Sequence, residues 1–310
     1  MTPGVLETTR PVVEAARDVA VDRERLAELC ARWAEDPWEV PPWDEEVHYP
    51  DPNYVLLLDA LNFCFWADPG QPRWELAYRG RTYNGYRALA AGLRKAVEEG
   101  VPLLDAAYLR NVSLGDVLAG IPLLEQREAN AREVGRVLCE LYEGSFETMA
   151  RAAGGSAVRL VQMLEDQLSS FRDRTTYAGH EVRFLKRAQI TVVDLAGTFS
   201  GEGCARFDDL RSLTAFADYK IPQVLEAQGI LRYSPALAAV VDRQELIPPG
   251  DPREVEIRAG MVWAVEWIRQ ELSSRGRDLA AYEIDWFLWN VGQQPVANER
   301  PYHRTRTIFY

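Results

Sequence analysis

Asn53-Tyr-Val-Leu-Leu-Leu-Asp-Ala-Leu-Asn-Phe-Cys-Phe-Trp66 is, after its first residue, almost entirely apolar apart from Asp59 and Asn62. A run of that length without strict alternation predicts a buried helix. Asp59 and Asn62 then fall three residues apart on one face, beside Phe63, Phe65 and Trp66. A buried carboxylate is costly unless it is paired or hydrogen-bonded, so Asp59 needs a partner. That partner is either a core polar network or a bound substrate, and Asn62 shares both readings.

The same helical spacing recurs on either side. Helices are expected over Asp22–Trp33, Tyr86–Glu99 (stopped by Gly100), Ser113 to about Gly120, and Arg127–Tyr142 (stopped by Gly144). Further on, they are expected over Ala157–Leu168, Val182–Phe199, Pro222–Gln228, Glu254–Leu272 and Ala280–Val291. Trp74 to Tyr83 alternates around Gly80 and predicts a short β-hairpin. The proline-rich joints at 37–42 and 248–252 read as turns. The fold class is therefore all-α with a small β-hairpin. It is read as one compact domain over 1–310, with two packed helical lobes, about 1–150 and 151–310, as the variant of that reading.

Composition narrows the function. With 310 residues, 47% of them hydrophobic, the chain can bury a substantial core. A formal charge of −12 argues against a sequence-independent grip on DNA or RNA, and direct binding of either is not expected. A mononucleotide or cationic small molecule in a local pocket is compatible with it. Cys30, Cys64, Cys139 and Cys204 are widely spaced and form no metal-ligand pattern, so no metal or other cofactor is implied. The N-terminus lacks a charged-then-apolar leader, and no run approaches eighteen apolar residues, so no membrane association is expected. These features describe a soluble cytoplasmic protein, expected to be a monomer.

The segment with the clearest chemistry is Ser212-Leu-Thr-Ala-Phe-Ala-Asp-Tyr-Lys-Ile-Pro-Gln-Val-Leu225. It sets Asp218 between Phe216 and Tyr219, with Lys220 adjacent and a helix opening near Pro222. Peptide dipoles at a helix start favour an ionised carboxylate. A fixed carboxylate beside aromatic faces suits a reaction that builds positive charge on a ring-bearing substrate. The plainer reading is a turn-capping aspartate.

Three other groups are polar intrusions of the same kind. Lys186 and Gln189 share a face near the start of an apolar helix, while Arg187 points elsewhere. They are either a phosphate handle or a solvated stripe. Asp285, Trp286, Trp289 and Asn290 can line one side of a helix in Ile284-Asp-Trp-Phe-Leu-Trp-Asn290. That side would either stack and hydrogen-bond a heterocycle or form an aromatic core. His48 and His303 are each a ligand contact or a structural histidine.

Taken together, Leu58–Trp66, Phe184-Leu-Lys-Arg-Ala-Gln-Ile190, Thr214–Leu225 and Glu254-Val-Glu-Ile-Arg258 resemble the queuosine salvage protein family, in order and from about His48 to Tyr310. The resemblance implies a hydrolase that cleaves the N-glycosidic bond of queuosine 5'-monophosphate and releases queuine for tRNA queuosine salvage. It also implies a fold similar to helix-hairpin-helix DNA glycosylases. The family's active-site carboxylate falls on Asp218 and its lysine on Lys186. Base recognition falls on His48, Phe216, Asp285, Trp286 and Asn290. Beside what the resemblance implies, the residues' own pattern adds Tyr219, Lys220, Asp59 and Asn62 as candidate substrate contacts. Lys220 stands where arginine is frequent, and Trp286 where tyrosine is. Lys186 is either a phosphate ligand or an amine nucleophile. A DNA base glycosylase and a non-catalytic nucleotide-binding adaptor are the competing functions.

Overall fold

Asp22, Asp51, Asp105, Ser145, Ser156, Ser234 and Asp251 each accept a backbone N–H at a helix start. Asp51, Ser234 and Asp251 are followed at once by proline, which is preorganised for the first helical turn. These local signals set most helix boundaries. The computed structural model describes residues 4–41, 47–294 and 299–310. In chain order the elements are α1 (Val5–Ala15), β1 (Val19–Val21), α2 (Arg23–Glu35), α3 (Pro52–Ala60), β2 (Glu75–Tyr78), β3 (Arg81–Asn84), α4 (Gly85–Glu98), α5 (Ala106–Leu109), α6 (Leu124–Leu141), α7 (Phe146–Ala152) and α8 (Ala157–Gln167). They continue with β4 (Arg174–Tyr177), β5 (His180–Arg183), α9 (Lys186–Thr198), α10 (Lys220–Ala227), β6 (Leu231–Tyr233), α11 (Pro235–Asp242), α12 (Pro252–Ser274) and α13 (Ala281–Val291).

The protein is mostly helical, with more β-structure than the single hairpin expected. Among the described residues, β2–β3 and β4–β5 form hairpins, and β1 pairs antiparallel with the distant β6. Three helix expectations need correction. The run at 53–66 is helical only to Ala60. Arg187 donates to the carbonyls of Asp59 and Ala60, Asn130 to that of Ala60, and Arg127 to that of Phe63. With those acceptors engaged by side chains, the chain leaves the helix. Cys64 then turns through φ 45° and donates its N–H to the Tyr310 carbonyl at 2.9 Å. No helix follows Ser113, whose hydroxyl instead bonds Glu128 at 3.0 Å, while Glu128 also accepts the Leu114 N–H. The 182–199 stretch opens as strand β5 and becomes helical only at Lys186, after Leu185 adopts φ 53°.

The chain divides into two units. The first gathers residues 1–42, 173–186 and 211–307 around α12. Every residue from Glu254 to Met261 on α12 is buried, so the helix is covered on all sides there. Gly260 permits this, because a Cβ at that position would meet Val19 at 3.1 Å and Leu231 at 3.4 Å. The buried Glu256 carboxylate accepts three consecutive N–H groups, from Arg17, Asp18 and Val19, and the Tyr177 hydroxyl. It thereby fixes the entry of β1. The second unit contains residues 43–172, 187–210 and 308–310, with α3 as its most buried helix.

Candidate active site

The loop before α10 runs buried from Leu213 to Ala217 and surfaces at the half-buried Asp218. Asp218 Oδ1 accepts the N–H groups of Lys220 and Ile221, both at 2.9 Å. The capping geometry expected of an aspartate at a helix start is present. Among the described residues, however, Oδ2 accepts no hydrogen bond. One oxygen is fixed by the helix and the other is left to interact with something else. Burial raises the Asp218 pKa, opposed by the Ile221 amide and by the nearby Lys186 and Lys220 charges.

A second carboxyl is held to the same loop. Asp285, on α13, accepts the Phe216 N–H through Oδ2 at 2.9 Å, two residues before Asp218. It is buried at 4% exposure, and its pKa is driven well above the ordinary 3.8 by burial and then by the Asp218 charge. The Phe216 amide and Lys186 act the other way. The pair is thus biased toward one shared charge rather than two.

Lys186 is presented by a tight turn. Leu185 is left-handed, a conformation that costs a non-glycine residue about 1–3 kcal/mol and must be held by its surroundings. Asp173 holds both sides: its carbonyl accepts the Phe184 N–H at 3.0 Å, and its Oδ2 accepts the Lys186 N–H at 3.2 Å. The Lys186 side chain is buried, and its charge acts on both Asp218 and Asp285.

The remaining residues of this group fall around α10 and α13. Lys220 donates to Gln223 at 2.8 Å, and Tyr219 packs against Tyr302 with ring centroids 4.9 Å apart. Trp286 stacks parallel to Trp289 and donates its indole N–H to the Pro41 carbonyl at 3.0 Å. Asn290 donates to the Trp286 carbonyl at 2.8 Å. His303 is fully buried and held neutral, its pKa lowered to about 3 by burial and the Arg258 charge.

Lys186, Phe216, Asp218, Tyr219, Lys220, Asp285, Trp286, Asn290 and His303 therefore all belong to the first unit. His48, Asp59 and Asn62 belong to the second. There, Asn62 donates to Asp59 Oδ1 at 3.2 Å, so the two remain paired although Asn62 lies beyond the helix. His48 Nε2 meets the Tyr86 hydroxyl at 2.7 Å, and that hydroxyl donates to Asp194 at 3.0 Å. Tyr86 and Asp194 were not expected as partners. Nor were Asp173 and Arg258, although Glu254 and Arg258, spaced i,i+4 in the buried part of α12, are a sequence signal of buried pairing. Among the described residues no three His, Cys, Asp or Glu side chains gather as a metal site. No helix among them is long and apolar enough to cross a membrane.

The family model described as queuosine salvage protein matches residues 45–310. The chain is 52% identical to the queuosine 5'-phosphate N-glycosylase/hydrolase of Sphaerobacter thermophilus, covering 99% of this chain and 98% of that protein. It is 36% identical to the mouse (Mus musculus) protein of the same name, covering 98% of each. The Schizosaccharomyces pombe protein of that name is 35% identical over 88% of this chain and 83% of its own length. On this evidence the chain belongs to the queuosine salvage protein family.

Proposed function

We propose that this protein hydrolyses the N-glycosidic bond of queuosine 5'-phosphate, releasing queuine. The relatives' shared name supports the reaction class and substrate. The observation that carries it to particular atoms is Asp218, with Oδ1 fixed on two backbone amides and Oδ2 without a hydrogen bond among the described residues. N-glycoside cleavage passes through an oxocarbenium-like state with positive charge on the sugar. In this reading the Asp218 carboxylate stabilises that charge and orients or deprotonates the attacking water. Queuine is a 7-deazapurine, so protonation at N7 does not assist its departure, and more of the acceleration falls on the carboxylate.

Lys186 takes the 5'-phosphate as a point charge. Phe216 and Trp286 supply aromatic faces to the base, and Asp285 accepts from its N–H groups or its side-chain ammonium. The reading extends to a cytoplasmic monomer and to a helical frame similar to helix-hairpin-helix DNA glycosylases.

The test is incubation of purified protein with queuosine 5'-monophosphate, following free queuine, with Asp218→Asn alongside. Wild type releases queuine. The variant binds substrate and releases queuine at least about a thousandfold more slowly, the order of loss expected for a group that acts in the transition state. Wild-type kcat in the variant overturns the assignment.

A further inference from the structure

Arg258 projects from the buried part of α12 and touches both segments that carry the proposed chemistry. Its Nη1 and Nη2 donate to the two oxygens of Asp173, at 3.0 and 2.6 Å. Its Nε donates to the Ala217 carbonyl at 3.1 Å, one residue before Asp218. Its guanidinium also lies over the Phe184 ring, 3.9 Å from the centroid. Asp173, in turn, holds the Lys186 N–H and the Phe184 N–H across the left-handed Leu185. One planar cation therefore ties the turn presenting Lys186 to the loop presenting Asp218.

The chemistry of the site explains why arginine is needed. Arg258 and Asp173 are each 3% exposed, and the buried Glu254 is a second carboxylate partner of Arg258 at 3.5 Å, so none of these charges is hydrated and each depends on the others. A buried pair of this kind contributes little net stability over a well-packed apolar alternative, but it fixes geometry strictly. The fork can serve two carboxylate oxygens and a carbonyl simultaneously because its donors are coplanar and divergent. An ammonium on a flexible stem cannot span the three acceptors together.

We propose that Arg258, acting through Asp173, is a positioning residue that sets the separation of Lys186 and Asp218. This inference rests on the N-glycosidase reading. It concerns how the site is held, since Arg258 contacts the segments and not the proposed reacting groups. Loosening the clamp displaces the carboxylate and the lysine together, and displacements of about 1 Å cost on the order of a hundredfold in rate.

Arg258→Lys and Asp173→Asn are the test variants. Arg269→Lys, which alters an ion pair with Glu266 on the same helix, is the control. With queuosine 5'-monophosphate, both test variants lower kcat by about ten- to a hundredfold, and the control keeps the wild-type value. Both also lose part of the preference for the nucleotide over the nucleoside, because Lys186 is displaced. In an Asp218→Asn background, Arg258→Lys adds little further loss of kcat, as expected of residues that act as a unit. A merely structural role would lower the yield of folded protein while leaving kcat per folded molecule and the nucleotide preference unchanged, and that result overturns the proposal.

Amide hydrogen exchange gives a readout independent of turnover. In either folded variant, exchange rises in segments 184–187 and 215–221 and not across α12 as a whole. If wild type releases no queuine, the N-glycosidase reading fails while the exchange result still decides the clamp. Unchanged exchange in both segments, in whichever variant folds, overturns the clamp itself. If neither variant folds, exchange in wild type decides: protection of the Lys186 amide no greater than that of fraying helix ends overturns it.

Discussion

The carboxyl of Asp285 is bonded to the backbone of Phe216, so α13 grips the loop that ends in Asp218 and adds a second buried carboxyl beside it. Two carboxyls in one electrostatic environment cannot both ionise cheaply. Asp285 carries the larger penalty, being the more deeply buried, while Asp218 has two amides and the start of α10 in its favour.

The penalty makes Asp285→Asn a stabilising change at neutral pH. Unfolded Asp285 ionises near 3.8, whereas the folded site favours the protonated form. Folding therefore takes up a proton, and the stability that Asp285 allows is full below 3.8 and lost as pH rises through the folded value. Each tenfold difference in proton affinity is worth about 1.4 kcal/mol. Asparagine retains an acceptor for the Phe216 amide without the charge. Thermal melts should show a higher Tm than wild type at pH 7, with the gap shrinking toward pH 4. A lower Tm at pH 7 would mean that the charge is stabilising.

Lys186→Ala should show two effects. Loss of the phosphate contact weakens use of queuosine 5'-monophosphate by about tenfold or more while affecting the nucleoside less. Equal losses on both substrates would exclude the phosphate role. Lys186 also holds the Asp218 pKa down, so removing it raises that pKa. The acid limb of the kcat profile then moves to higher pH, measurable with the nucleoside alone.

His303 predicts an acid sensitivity. Its pKa falls from 6.5 to about 3 on folding. Its contribution to stability is full above 6.5 and is lost as pH drops toward 3, at up to about 1.4 kcal/mol per pH unit. Denaturant melts between pH 7 and pH 4 should show a shallower decline in His303→Gln than in wild type. Identical slopes would exclude the histidine as a source of acid lability.

Gly292 marks where α13 meets α10. A Cβ there would lie 2.7 Å from both Lys220 Cε and Val224 Cγ2. Lysine can move aside, but Val224 is buried at 3% exposure. The glycine has φ −67°, so alanine is not strained by the backbone and any cost is steric. Gly292→Ala should destabilise by about 1–3 kcal/mol. It should also lower kcat, because the start of α10 tethers Asp218. A change in Tm without any change in kcat would separate the helix contact from the site.

Local signals were sufficient for much of the fold. Asp22 before α2, Gly100 after α4 and Gly144 after α6 are short-range stereochemistry, readable from neighbouring residues. The end of α3 was not readable, because what ends it is Arg187 and Asn130, far along the chain, binding its last carbonyls. An apolar run looks the same whether it stays helical or goes extended in the core. Of the β4–β5 hairpin, only Val182 and Arg183 fell inside an expected helix and β4 was not expected at all, because the turn relies on a left-handed Ala178, a residue type that does not announce that conformation. At the site, Asp218 and Lys220 were legible from the start of α10. The Asp173–Arg258 link was not, since 85 positions separate the partners.

The pairing of β1 with β6 sets a timetable for synthesis. Val21 meets Leu231, about 210 residues later. At about 5–20 residues per second, the ribosome delivers that partner some 10–40 s after the first strand emerges. Through that interval α1, β1 and α2 wait without the buried helix α12 that they pack against. The second unit has a similar delay, because Cys64 is bonded to the carbonyl of Tyr310. The first unit therefore waits for α13 and the second for Tyr310, and a nascent chain stalled before α13 would hold Asp218 without the carboxyl that grips its loop.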